Sequence, residues 1–235
     1  MKQQPDKRPV AQLIGVSKTL SGAQRATTVL NDVSFDAYPG ELILLLGPSG
    51  SGKSTFLTIL AGLQSPSAGE VKLFGRALST YSTADLQELR AAHIGFIFQT
   101  FHLIDSLDAL ENILLVMKFP KLRNKEARKR ALWLMEQFGI AHLIHDSPGT
   151  MSQGEKQRVA VARALANDAE LIIADEPTGS LSTEQGMQIV QMLHAEVQSG
   201  KRCVVIASHD QRIAAYASRV LYIRDGSVSE QAPGI

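Results

Sequence analysis

Residues 41–63 read ELILLLGPSGSGKSTFLTILAGL, and this stretch constrains the fold more than any other. ELILLL is a continuous apolar run, the pattern of a strand covered on both faces. FLTILAGL repeats its apolar positions at helical spacing. Between them, Gly47 to Ser54 fit G-x-x-x-x-G-K-[ST] at every fixed position. Glycines let the backbone wrap an anion with successive N–H groups, and the following helix adds the positive end of its dipole. Lys53 is placed to reach the β- and γ-phosphates of a nucleotide, and Ser54 to bind Mg²⁺. The candidate nucleotide-binding loop is therefore Gly47, Pro48, Ser49, Gly50, Ser51, Gly52, Lys53, Ser54 and Thr55.

LIIADEP ends a second buried-strand pattern (171–174) in two carboxylates, Asp175 and Glu176. Ligands of open α/β sheets bind at the C-terminal edge of the strands, so both acids can face the phosphate site. Adjacent strand residues point to opposite sides, which gives them different roles. Asp175 suits the Mg²⁺ shell, and Glu176 suits polarising a water that attacks the γ-phosphate.

CVVIA (203–207) is a third buried strand, and 183–198 a helix between the two. The N-terminal segments AQLIGVSKTL and TTVLNDVSFDAYPG are strand-rich, 82–92 is a short capped helix, and VLYIRDGSVSE is a hairpin turning at Asp225-Gly226. Asn124 to Phe138 read as an amphipathic helix with Leu132, Met135 and Phe138 on one face and Gly139 as its stop. Alternating strands and helices predict an α/β fold with a mainly parallel sheet, with the helix-rich middle inserted into it.

Charge and cysteine content narrow the class. With 24 Lys and Arg against 23 acidic residues, overall charge points to neither nucleic acid nor an anionic membrane. The basic stretch KLRNKEARKR reads as a solvated helix face, because the apolar stripe resumes in the same helix. Cys203, the single cysteine, excludes an internal disulfide and lies in an apolar run. MKQQPDKRPV lacks a signal-peptide core, and no apolar run approaches the ~20 residues of a membrane span. The expectation is a soluble cytoplasmic protein that meets a membrane only through a partner.

MSQGEKQRVAVARAL (151–165) begins another helix. Ser152 and Glu155 form a capping box, each satisfying an N–H of the first turn. Gly154 sits inside that turn, where glycine weakens a helix by roughly 1 kcal/mol relative to Ala. A turn or a close approach to the backbone must require it.

These segments together resemble the ATPase subunits of ABC transporters. The phosphate loop at 47–54, GFIFQ ending at Gln99, MSQGEKQRVAVARAL, LIIADEPTGSL and IASHD follow that family's order and spacing across essentially the whole chain. ADEPTGSL and the short length look most like the branch serving lipoprotein release and macrolide export. The resemblance implies a P-loop NTPase core (1–99 and 166–235) with an N-terminal antiparallel β subdomain and a helical subdomain over 100–165. It also implies head-to-tail homodimers holding two ATP, each between the phosphate loop of one subunit and the signature helix of the other. Ser152 and the Gly154 N–H would then touch the γ-phosphate on the partner chain. Gln99 would sense Mg²⁺ and the attacking water while linking to a polytopic membrane subunit, and His209 would hydrogen-bond the γ-phosphate. The implied location is the inner face of the cell membrane, held there by that subunit. An ATP-gated regulatory dimer with little turnover is the alternative.

Four positions depart from the family pattern. Gln153 and Glu155 replace a glycine and a glutamine of the signature, Leu20 stands where an aromatic stacks on adenine, and Ser182 replaces an aspartate. A unit charge on Glu155 at ~7 Å from a phosphate, at an effective dielectric of ~20, would repel it by at most ~2 kcal/mol. Ser182 and Gln185 can still cap the next helix.

Overall fold

The computed structural model describes residues 8–21, 26–117 and 124–231. The strand-rich N-terminus forms β1 (Ala11–Ser21) and β2 (Ala26–Ala37), paired antiparallel. The chain then enters a second sheet as β3 (Leu42–Leu46) and turns through the glycine loop into α1 (Lys53–Leu60). It returns with β4 (Ala68–Leu73) and β5 (Arg76–Ala77) to complete a four-stranded antiparallel sheet, β2-β1-β4-β5. Next come α2 (Thr83–His93), β6 (Ile94–Ile97), α3 (Ala109–Met117), α4 (Asn124–Gln137) and α5 (Gln153–Leu165). β7 (Leu171–Asp175), α6 (Thr183–Val197), β8 (Cys203–Ser208), β9 (Arg219–Arg224) and β10 (Ser227–Gln231) close the chain.

The second sheet runs β10-β9-β3-β8-β7-β6, and its pairs are parallel except for the β9–β10 hairpin. Asp225 and Gly226 both take positive φ at the hairpin turn, as a two-residue loop of matching twist requires. Leu46 pairs with Ser208, and Asp175 with Ala207. The parallel register thus delivers the ends of β3, β7 and β8 to one edge.

The apolar runs are continuous because both faces of this sheet are covered. Leu42, Leu44, Ile172, Ala174, Val204 and Ile206 belong to a core shared with α3, α4, α5 and α6. Ile43, Leu45, Leu171, Ile173, Cys203 and Val205 belong to a second core, shared with α1 and the antiparallel sheet. Burial pushes the Cys203 thiol pKa well above its usual range, with the Glu41 charge adding to the effect. Among the described residues, no helix is long and apolar enough to cross a membrane.

α4 differs in detail from its sequence reading. Its buried stripe is Ala127, Ala131, Leu134, Met135 and Phe138, while Leu132 is half-buried against the margin of the core. The stripe follows i, i+4, i+7 spacing, so small alanines rather than Leu132 occupy its centre. Gly139 stops the helix through a paired C-cap: its N–H donates to Glu136 O and the Ile140 N–H to Met135 O, at 3.1 and 2.9 Å. Lys125, Arg128 and Lys129 are exposed, as a solvated face requires. The first residues of the basic stretch, 121–123, lie outside the described residues.

β6 and α5 meet at Gly95. A Cβ there would overlap the carbonyl oxygen of Ala164, a backbone atom that cannot rotate away. Gly95→Ala is expected to cost about 1–3 kcal/mol. Urea unfolding measures it, and an unchanged midpoint would show that α5 can retreat.

Candidate functional site

The loop between β3 and α1 is shaped by its walls. Gly52 caps α1 with φ +105°, and a Cβ there would lie 2.9 Å from Val29 O on β2. Lys53 opens the helix and is buried. Its Nζ donates to Gly47 O at 2.8 Å and Pro48 O at 3.1 Å, and lies 3.5 Å from Glu176 Oε1.

Glu176 follows β7 directly and takes the left-handed conformation, φ +47°. Its N–H donates to Ala207 O at 2.9 Å. Its Oε2 accepts from Ser208 Oγ at 3.3 Å and lies 3.1 Å from His209 Nδ1. The carboxylate therefore stands between the Lys53 ammonium and the His209 ring. A lysine and a carboxylate at 3.5 Å in a partly buried setting attract far more than the same pair in bulk water.

Ser49, Gly50, Gly52, Lys53, Ser54, Thr55, Gln99, Asp175 and Glu176 line one cleft, with Leu20 and Val29 as its apolar wall. Gly47, Pro48 and Ser51 form the loop behind that lining. The Ser51 hydroxyl is buried there without a partner among the described residues. Leu20 is 41% exposed, an aliphatic shelf where an aromatic ring was absent from the sequence. Gln99 enters the cleft from the end of β6, and its carbonyl accepts from Ser180 Oγ at 3.4 Å.

Ser152 and Gly154 lie outside this lining, at the start of α5. The capping box is present as read from sequence. Ser152 Oγ accepts from the Glu155 N–H at 3.3 Å, while Glu155 Oε2 accepts from the Ser152 N–H at 2.8 Å and its hydroxyl at 2.7 Å. Glu155 Oε1 lies 3.3 Å from His142 Nε2. These bonds, Ser152 Oγ foremost and then its backbone, hold the Glu155 pKa below the usual carboxylate range. The carboxylate is folded back over its own cap.

Gly154 faces α6. A Cβ there would lie 3.1 Å from Gln185 Nε2, the end of a flexible side chain that a small shift would move aside, so packing within the chain does not by itself demand glycine. Ser182 caps α6, accepting from the Gln185 N–H at 3.3 Å.

Two further residues belong to this arrangement. Ser208, fully buried at the end of β8, holds Glu176, and its signal was the hydroxyl just before His209. Gln157, on α5, donates to Pro177 O beside Glu176. A glutamine in an amphipathic helix gives no sequence signal of that kind.

Comparison with known proteins agrees with this geometry. A family model described as ABC transporter matches residues 30–179. The chain is 42% identical over 217 residues to the putative hemin import ATP-binding protein HrtA of Staphylococcus haemolyticus, covering 92% of this chain and 98% of that one. It is 39% identical over 220 residues to the macrolide export ATP-binding/permease protein MacB of Sodalis glossinidius. That match covers 94% of this chain but 34% of MacB, so the chain spans about a third of that relative. Among solved structures, the bacterial ABC transporter cassette MJ0796, seen as a dimer, superposes with a TM-score of 0.88 at 36% identity, covering 96% of this chain and 99% of that one. The same cassette in a dimeric post-hydrolysis state bound to ADP and Pi gives a TM-score of 0.87. Family, relatives and structures converge: the chain belongs to the ABC transporter family and is one of its ATP-binding cassettes, an ATPase.

Proposed function

We propose that this cassette binds ATP with Mg²⁺ in the cleft at the C-terminal edge of the parallel sheet and drives a polytopic membrane partner. The observation that carries the reading is the placement of Glu176 between Lys53 and His209 at that edge. The loop N–H groups and Lys53 hold the phosphates. The hydroxyl of Ser54, the amide oxygen of Gln99 and the carboxylate of Asp175 line the same cleft, and oxygen donors of this kind suit Mg²⁺. Bound there, Mg²⁺ would offset charge on the β- and γ-phosphates.

Glu176 orients a water in line with the γ-phosphate and takes its proton as the new P–O bond forms and the bond to ADP breaks. Ser208 and His209 hold that carboxylate in place. The other ring nitrogen of His209 is left to meet the γ-phosphate. Two copies of the chain pair head to tail, each presenting Ser152 and the Gly154 N–H to the nucleotide on the other. Phe98, the residue before Gln99, lines an apolar cleft with Phe96, Ile104, Leu115 and Val116, a surface suited to the membrane partner. The cassette then works on the cytoplasmic face of the membrane, attached through that partner, with no role for nucleic acid.

A regulatory module with little turnover has no specific observation in its favour. Glu155 and Ser182, two of the departures from the family pattern, are engaged in the caps of α5 and α6. Purifying the tagged chain from its native membrane tests the reading. A polytopic membrane protein should accompany it, and ATP hydrolysis by that complex should stop on chelation and return with Mg²⁺. A complex with no such protein, or with hydrolysis indifferent to Mg²⁺, defeats it.

A further inference from the structure

Gln157 is fully buried on α5, yet only half of its amide is used. Nε2 donates to Pro177 O at 2.7 Å, while Oε1 has no partner among the described residues. A buried acceptor left unpaired lowers stability, and an apolar side chain of the same size would avoid that cost. Packing therefore does not explain a glutamine here. The single bond to Pro177 does.

That bond lands beside a strained residue. Glu176 holds φ +47°, a conformation that side-chain-bearing residues keep only where their surroundings over-determine it. On one side its N–H is fixed to Ala207 of β8. Its own carbonyl accepts from the Gly179 N–H at 3.1 Å within the same turn. The next residue is a proline, which has no N–H to offer, so its carbonyl is the group left to anchor. Gln157 anchors it from a separate helix.

We propose that Gln157 is a positioning residue for Glu176: it fixes the turn that aims the carboxylate at Lys53 and ties that turn to the helix beginning at Ser152. The inference rests on the assignment of Glu176 as the water-polarising group. Ser152 and Gln157 share one helix. A shift of its N-terminus at the nucleotide of the partner copy is thus passed to the carboxylate serving the chain's own nucleotide.

Gln157→Leu and Gln157→Met, made in the full chain beside Glu176→Gln, test this. The unfolding midpoint should move little, because the unpaired Oε1 is removed while the Pro177 carbonyl loses its donor. ATP affinity should stay within about twofold while hydrolysis falls by about tenfold or more, as expected when a proton acceptor is misplaced. An ATP-bound dimer should accumulate, as with Glu176→Gln. Hydrolysis close to wild type, a fall that tracks unfolding in both variants, or loss of the ATP-bound dimer together with the rate would each overturn the proposal. If Glu176→Gln itself turns over normally, the reading of Glu176 fails first. Active Gln157 variants beside an inactive Glu176→Gln defeat this inference alone.

Discussion

Glu176→Gln is expected to bind ATP normally, lose multiple turnover and accumulate as a nucleotide-bound dimer. The substitution keeps the size of the side chain and can keep bonds to Ser208 and His209, but it removes the group that accepts the proton from water. Loss of a general base typically slows a reaction by roughly 10²–10⁴-fold. Lys53, its bonds to Gly47 and Pro48, and the cleft lining are untouched, so the phosphate cradle survives. Size-exclusion chromatography with ATP and a steady-state phosphate assay measure both halves. Sustained hydrolysis would remove Glu176 from the catalytic role.

The second large effect depends on how two lesions are arranged in a tethered dimer. As a helix cap alone, Ser152→Ala costs about 1 kcal/mol of stability. If Ser152 also grips the nucleotide of the partner copy, its loss disables that site while the fold survives. With Lys53→Ala in one chain and Ser152→Ala in the other, both lesions fall in one composite site and the second stays intact. With both in the same chain beside a wild-type chain, each site loses one group. Partial ATPase activity is expected from the split arrangement and almost none from the combined one. The reverse ranking would assign Ser152 to its own chain's nucleotide. Equal, near-normal activity would reduce Ser152 to a cap and make Lys53 dispensable.

What could be read from the sequence was mostly what is local along it. The phosphate loop needs only a strand, a turn and a helix in succession, and all three are contiguous between Leu42 and Leu60. The capping box at Ser152 and Glu155 lies within one helical turn. The buried strands were legible because unbroken apolar runs leave no face for water, and the two cores meet this from opposite sides. What stayed hidden depends on contacts between distant segments. Gly154 faces Gln185 on another helix, and Gln157 bonds a carbonyl after β7. Leu132 outranks Ala131 in hydrophobicity, yet the alanine sits at the centre of the packed face, where neighbouring helices leave little room. The order of strands in the sheet is set by crossovers that no single segment encodes.

Cys203 lies in the middle of the parallel sheet with its thiol pKa raised by burial. Only the thiolate is nucleophilic, so this sulfur is shielded from oxidants and alkylating reagents alike. Oxidised glutathione therefore finds no reactive thiol on the folded chain, and its ATPase cycle is insulated from the thiol redox state around it. The same inertness leaves the surface without a competing thiol: a cysteine introduced at exposed Trp133 of α4 would be the single site to take a spin label or dye. Distances between two such labels would follow the opening and closing of a pair of cassettes without any native residue having to be removed.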